Sequence, residues 1–291
     1  MMKHLGPHFI GIGPEKTGTS WIHRNLEAHP RVILPPLKEL RYFWENANFP
    51  REKFWSRLNR KNSWHRKQYH DYFRNRFKHY LRNPMHCFSD RKRFAWDCRY
   101  LFSEHDDDWY LECFDRSEGF VCGEISPQYF FLSEDEVRHI HKLLPDTQII
   151  LSLRNPTDWI WSFARMKIKD NFIQSNDKAL CTYLDAAVSF YKFSRALRYW
   201  KRYFPEEQLL VVFYDELSEA PWQLYSRVCD FLRIEPESAQ IPQLSERVNE
   251  GSYLKLPDKF REKIENGWRE DIEELSSMLP SLPRSWKNMK E

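Results

Sequence analysis

The segment Gly13-Pro14-Glu15-Lys16-Thr17-Gly18-Thr19-Ser20-Trp21 carries the residue types of an anion-binding loop. Gly18 permits close backbone approach, and the amides of a helix opening after it would point at a negative ligand. Thr17, Thr19 and Ser20 add hydroxyl donors, and Lys16 adds a point charge. The Gly13-x-x-x-x-Gly18 spacing is that of a P-loop, but Thr19 stands where a P-loop requires Lys, and the lysine lies inside the loop instead. No convincing acidic metal ligand stands at a strand end, so a nucleotide-dependent kinase would explain this loop only. A second segment, Leu153-Arg154-Asn155-Pro156 through Ser162, places a guanidinium fork before a helix and a hydroxyl two turns along it. Such a pair can reach one phosphate group together.

Strands and helices alternate around these loops. Phe9–Gly13 reads as a buried strand, followed by a helix through Trp21, Leu26 and Ala28 that stops before Pro30. Val32–Leu34 is a second short strand. Aromatic spacing predicts two surface helices between about 52 and 82. Val121–Ile125 is a strand, and Ser133-x-x-Glu136 is a capping box opening a helix to Leu144. Gln148–Leu153 is a continuous apolar strand, with a helix from near Thr157. A single long helix is predicted over Leu184–Tyr203, a strand over Gln208–Tyr214, and helices over Ala220–Leu232 and from Pro257 toward Met278. Unbroken apolar strands alternating with helices indicate an α/β fold whose parallel sheet is covered on both faces, in three layers. Ligands in such folds bind beyond the carboxyl ends of the strands, where both loops fall.

The segment Pro-x-Lys-Thr-Gly-Thr-Ser-Trp resembles the 5′-phosphosulfate-binding loop of sulfotransferases that use 3′-phosphoadenosine 5′-phosphosulfate (PAPS). Arg154 and Ser162 match the Arg and Ser of that family's 3′-phosphate element, although Asp158 and Trp159 stand where a second Arg often occurs. Lys38-Glu39-Leu40-Arg41-Tyr42-Phe43 resembles the Lys-Glu-x-x-x-Phe segment of heparan-type carbohydrate sulfotransferases. Glu124-Ile125-Ser126-Pro127-Gln128-Tyr129-Phe130 resembles their Glu-Lys-Ser/Thr-Pro-x-Tyr-Phe element, with Ile125 in place of the Lys. Tyr214-Asp215-Glu216-Leu217 resembles a Tyr-Glu-Asp-Leu strand end. The resemblance implies a P-loop-like fold, one sulfotransferase domain over 1–291, PAPS as co-substrate and no metal requirement. It implies a donor site of Lys16, Thr17, Gly18, Thr19, Ser20, Trp21, Arg154, Ser162 and Tyr214. Trp21 would stack on adenine or serve the core.

Transfer to a hydroxyl needs a base, charge neutralisation on the leaving phosphate and exclusion of water. Glu39 matches the family's catalytic glutamate and is the expected base; Glu124 is a reserve, and His65, His70, His79 and His86 rank below it. Lys16 is the expected catalytic cation. Phe43 and Trp44 would raise the Glu39 pKa by desolvation, while Lys38 and Arg41 would lower it.

Among 291 residues the net charge is +3, which makes no case for nucleic-acid binding. Mean hydropathy is −0.74, and no stretch is long and apolar enough to span a bilayer. Six cysteines lack metal spacing and read as reduced thiols, consistent with a cytoplasmic protein. From Arg51 to Arg93, Lys and Arg recur among aromatics. This basic helical insertion, about 50–95, is expected to form part of an acceptor cleft for a carbohydrate or glycolipid, with a small hydroxylated metabolite as the alternative. A polyanion-binding module would explain the basic segment but not Lys16, Arg154 and Ser162 together; a solvated helix pair would also explain it.

Overall fold

Alternate side chains along each apolar strand must find cover on opposite sides of the sheet. A computed structural model describes residues 6–48, 53–59, 64–237 and 256–287. Its strands are β1 (Phe9–Ile12), β2 (Val32–Ile33), β3 (Val121–Ile125), β4 (Gln148–Leu153) and β5 (Leu209–Phe213), in the spatial order β2-β3-β1-β4-β5. Every pairing is parallel. Ile10, Ile12, Ile149, Leu151 and Leu153 face one core, with Trp159, Phe163, Trp200 and Trp268 from three covering helices (Pro156–Lys169, Phe193–Tyr203, Asp258–Met278). Phe9, Ile125, Ile150 and Val212 face the other, under helices Thr19–Glu27 and Pro221–Phe231. This is the expected three-layer α/β arrangement. β1 is central, so the loops after β1, β3 and β4 open side by side at one edge of the sheet.

The long helix expected over 184–203 is instead two helices, Asp177–Phe190 and Phe193–Tyr203. Tyr191 and Lys192 are extended between them. The cause lies far along the chain. The buried Asp271 carboxylate accepts from the backbone amides of Phe193 (3.0 Å) and Ser194 (3.2 Å) and from the Ser194 hydroxyl (2.6 Å), capping a new helix start. Three helices between 82 and 121 are additional to the sequence reading: the single turn His86–Ser89, Arg91–Phe102, capped by Asp90, and Asp107–Glu112, capped by Asp106.

Part of the basic segment is internal scaffolding. Asp97, 1% exposed, accepts from Arg76 Nε (2.5 Å), Tyr80 OH (2.5 Å), Arg93 Nε (3.2 Å) and the Tyr72 hydroxyl. Arg57 is buried and donates to the Leu101 and Ser103 carbonyls. These arginines are spent on holding the insertion's helices together. Arg51, Glu52, Arg60 and Lys61, and the side chains of His65, Arg66 and Lys67, lie outside the described residues.

Candidate active site

The loop after β1 is held from three directions. Gly13 has φ +139°, and a Cβ there would meet the Ser152 carbonyl oxygen of β4 at 2.3 Å, so only glycine passes. Thr17 Oγ1 donates to the Pro14 carbonyl (2.7 Å) and shares a hydrogen bond with Ser152 Oγ (2.6 Å). Trp159 Nε1 donates to the Glu15 carbonyl (2.7 Å), and Arg154 Nη1 to the Lys16 carbonyl (3.3 Å). Gly18 has φ +95°, and a Cβ there would lie 2.6 Å from Leu217 Cδ1 and 3.4 Å from the Tyr214 ring. It caps the helix Thr19–Glu27 without any side-chain hydrogen bond, and with the Trp21 amide on the Gly18 carbonyl (2.9 Å) it is the Thr19 and Ser20 amides that face an incoming anion.

Cations converge on this loop. Lys16 is half-buried with φ +73°. Burial pushes its pKa down, and so do the charges of Arg154, Arg165 and Lys169; Glu15 alone among the main contributors opposes them. Arg154 lies 4.2 Å over the Tyr214 ring, which fixes the plane of its guanidinium. The like charges of Arg154, Arg165 and Lys169 press on the Lys16 cation, and a bound anion would relieve that repulsion. Ser162 is buried in the helix Pro156–Lys169, and Arg165 and Lys169 lie three and seven residues beyond it. Helical periodicity counted onward from Ser162 would have found both.

Trp21 is 2% exposed and packs in the core with Phe9, Ile22 and Leu26, the second of the two roles open to its ring.

The carboxylates form a second constellation. Glu39 has φ +64° and Arg41 φ +59°, a left-handed backbone that non-glycine residues adopt only under constraint. Glu124 and Ser126 impose it. Glu124 Oε2 accepts from the Leu40 amide (3.1 Å) and Ser126 Oγ (2.6 Å), and Ser126 Oγ accepts from the Arg41 amide (3.2 Å). Glu124 Oε1 accepts from Tyr110 OH (2.8 Å) and Tyr129 OH (3.0 Å). With four donors on two oxygens, Glu124 is a positioning residue for the Glu39 segment and has little capacity left for an acceptor proton.

The Glu39 side chain is 15% exposed and ion-paired to the buried Arg41 and to Lys38 (3.6 Å). Burial would raise its pKa, but the Arg41 and Lys38 charges, with hydrogen bonds from Arg41 and Gln128, outweigh it and hold the carboxyl below its ordinary value. The desolvation expected from Phe43 and Trp44 loses to the cations. Lys38 Nζ also donates to Ser20 Oγ, in the first turn of the helix after the glycine-cornered loop (2.6 Å), which ties the two constellations together. Gln128 Nε2 donates to Glu39 Oε2 and to Glu15 Oε1, 3.2 Å each.

Glu15 has the opposite electrostatics. Burial pushes its pKa up, and the Glu39 charge adds to that, against Lys167 and Arg41. Two carboxylates joined by one amide are therefore displaced in opposite directions, the pattern of an acid–base pair. The folded state binds the Glu15 proton more tightly than the unfolded chain, so stability falls as pH rises from the ordinary glutamate value through the raised one. Glu15→Gln is expected to remove that slope. The variant should match or exceed the wild-type Tm at neutral pH and lose the advantage in acid, as thermal melts across this range will show.

Three of the four histidines ranked below Glu39 are held in contacts within the helical insertion. His70 hydrogen-bonds the Leu58 carbonyl (2.7 Å), and His79 and His86 contact each other at 2.9 Å. His23 is buried beside Lys38; burial first and then that charge bring its pKa down to about 4, so it is neutral near pH 7. Among the described residues no group of three His, Cys, Asp or Glu is placed to hold a metal ion. At the C-terminal side, the Ser285 carbonyl accepts from Asn155 Nδ2 (3.1 Å), and Asp215 accepts from Trp286 Nε1 (3.3 Å), which pins this segment beside the ends of β4 and β5.

Comparison with known proteins matches residues 7–238 to the sulfotransferase family. The bifunctional heparan sulfate N-deacetylase/N-sulfotransferase of Drosophila melanogaster is 22% identical over 275 residues, covering 88% of this chain and 22% of that protein. The chain spans less than half the length of the curated relatives it matches. A sulfotransferase from Alicyclobacillus acidocaldarius has the same fold, with a TM-score of 0.65 at 19% identity, over 97% of this chain and 98% of that one. Mouse sulfotransferase SULT7A1, solved in complex with PAP, superposes with a TM-score of 0.53 at 11% identity, over 98% of this chain and 88% of that one.

Proposed function

Because the chain belongs to the sulfotransferase family, we propose that it transfers a sulfuryl group from PAPS to an acceptor hydroxyl by in-line displacement. The observation that carries this reading is the gathering of Lys16, Arg154, Arg165 and Lys169 around a glycine-cornered loop with one opposing carboxylate. Residues fit for the donor are the loop amides, with that of Thr17 among them, and the Thr19 and Ser20 hydroxyls for the 5′-phosphosulfate, and Arg154 with Ser162 for the 3′-phosphate; the Thr17 hydroxyl is committed to the Pro14 carbonyl and shapes the loop, and Tyr214 holds Arg154 in plane. The donor supplies an activated sulfuryl group. Glu39, held ionised, takes the hydroxyl proton as the new oxygen–sulfur bond forms. Lys16 neutralises charge on the phosphate oxygen as the old bond breaks. Charge neutralisation by these cations asks for no metal ion.

For the acceptor, a carbohydrate or glycolipid is the reading supported by the heparan sulfate relative; a small hydroxylated metabolite is the alternative. No helix among the described residues is long and apolar enough to cross a membrane. The six cysteines are free, which fits the reducing compartment proposed for the chain. A screen of carbohydrate, glycolipid and small hydroxylated acceptors with radiolabelled PAPS tests the function, with ATP as the control donor. Label should move from PAPS alone and survive chelation of divalent ions. Phosphoryl transfer from ATP in its place would refute the proposal.

A further inference from the structure

We propose that the outer face of the helical insertion docks on an anionic lipid bilayer. Ten large apolar side chains are exposed among the described residues, and six of them lie between 53 and 102: Trp55, Phe77, Leu81, Met85, Phe88 and Phe102. Single exposed apolar residues need no explanation, but such a concentration marks an interaction surface. The patch is continuous at one end. The Phe54 ring contacts Trp55 (4.9 Å), Phe102 (5.1 Å) and Phe73 (6.1 Å), and Phe73 stacks on Phe77 (5.9 Å). Leu81 follows Phe77 by one turn on the helix Trp64–Arg82 and makes a ridge with it, and Met85 and Phe88 stand exposed in the turn and short helix His86–Ser89 that follow. Leu81, Met85 and Phe88 are 67%, 70% and 67% exposed.

Charge complementarity identifies the occupant. Lys78 and Arg82 sit one position after Phe77 and Leu81, along the flank of the ridge, and Arg91 opens the next helix. Among the described residues these three have no acidic partner, whereas Arg74 pairs with Asp71, Arg76 and Arg93 with Asp97, and Lys92 with Asp115. Asp90 is the sole acidic residue from 72 to 96. A soluble polyanion would engage the cations and leave Leu81, Met85 and Phe88 in water; an uncharged protein groove would cover the apolar ridge and leave the cations unanswered. An anionic bilayer answers both, because apolar side chains enter the acyl boundary while flanking cations meet headgroup phosphates. The Asp97 network beneath holds the ridge in place, so little ordering is needed at contact.

Flotation of the full chain with vesicles tests this without donor or acceptor, and so independently of sulfuryl transfer. The chain should bind vesicles of phosphatidylcholine and phosphatidylglycerol in roughly equal parts, bind phosphatidylcholine alone weakly, and dissociate as salt rises. Lys78→Glu/Arg82→Glu/Arg91→Glu should cut the partition by about 100-fold or more, at about fivefold per cation. Leu81→Ser/Met85→Ser/Phe88→Ser should cut it by about tenfold or more. All six positions are exposed, and near-UV circular dichroism will verify that both variants keep native packing. Absence of binding to the anionic vesicles would overturn the proposal. So would binding that ignores the apolar triple variant and yields to a soluble polyanion.

Discussion

Glu39→Gln is expected to leave affinity for 3′-phosphoadenosine 5′-phosphate almost unchanged while kcat falls by about 10²- to 10⁴-fold, the usual cost of losing a general base. Glutamine keeps the size of the side chain and can still accept from Arg41 and Gln128, so the constrained backbone at residues 39 and 41 should persist. It cannot take a proton. Calorimetry with the product nucleotide and turnover on the acceptor found by screening separate binding from chemistry. The pH dependence has a definite sign. Arg41 and Lys38 hold the Glu39 carboxyl below its ordinary value, so the acid limb of kcat/KM should lie below the usual carboxylate range, with activity lost as pH falls through it. Glu15→Gln and Glu124→Gln are the companion variants. A dead Glu15→Gln beside an active Glu39→Gln would assign the base to the carboxylate across Gln128. Glu124→Gln should lower Tm, because the amide nitrogen would replace one of two oxygens that each accept from two donors, the Leu40 amide and Ser126 hydroxyl on one and the Tyr110 and Tyr129 hydroxyls on the other.

Lys16→Ala should lower kcat/KM by about 10²- to 10³-fold, the scale of losing one preorganised charge contact in the transition state, and should weaken donor binding as well. Its effect on stability should run the other way. Lys16 is pressed by Arg154, Arg165 and Lys169 and carries a left-handed backbone, so removing its charge relieves repulsion in the ligand-free chain. Unchanged or raised Tm with activity lost is the signature of a residue kept for function. A variant with near wild-type turnover would remove the loop from the donor site.

The parts of this site carried by local sequence were legible before the fold was known. Apolar runs such as Gln148–Leu153 specify strands buried on both faces, and Gly13 and Gly18 mark backbone that no side chain could occupy. Less legible was whatever depends on contacts made across the chain. The break at Tyr191–Lys192 is set by Asp271, nearly eighty residues away. Glu124 looked like a spare base because its four donors come from residues 40, 110, 126 and 129, which only the fold gathers. Glu15 drew no notice as a titrating group until Gln128 placed it against Glu39. The basic segment looked uniform, yet Asp97 absorbs Arg76 and Arg93 and leaves Lys78, Arg82 and Arg91 at the surface.

The central claim is that Lys16 and Arg154 bind the two ends of a nucleotide carrying both a 5′- and a 3′-phosphate. Calorimetric titration with 3′-phosphoadenosine 5′-phosphate and with adenosine 5′-phosphate, on wild type and Arg154→Ala, tests it most directly. Wild type should prefer the 3′-phosphorylated nucleotide by roughly 10- to 100-fold, the worth of a charge-assisted phosphate contact, and Arg154→Ala should lose that preference. Equal affinity of the wild type for both nucleotides would contradict the account.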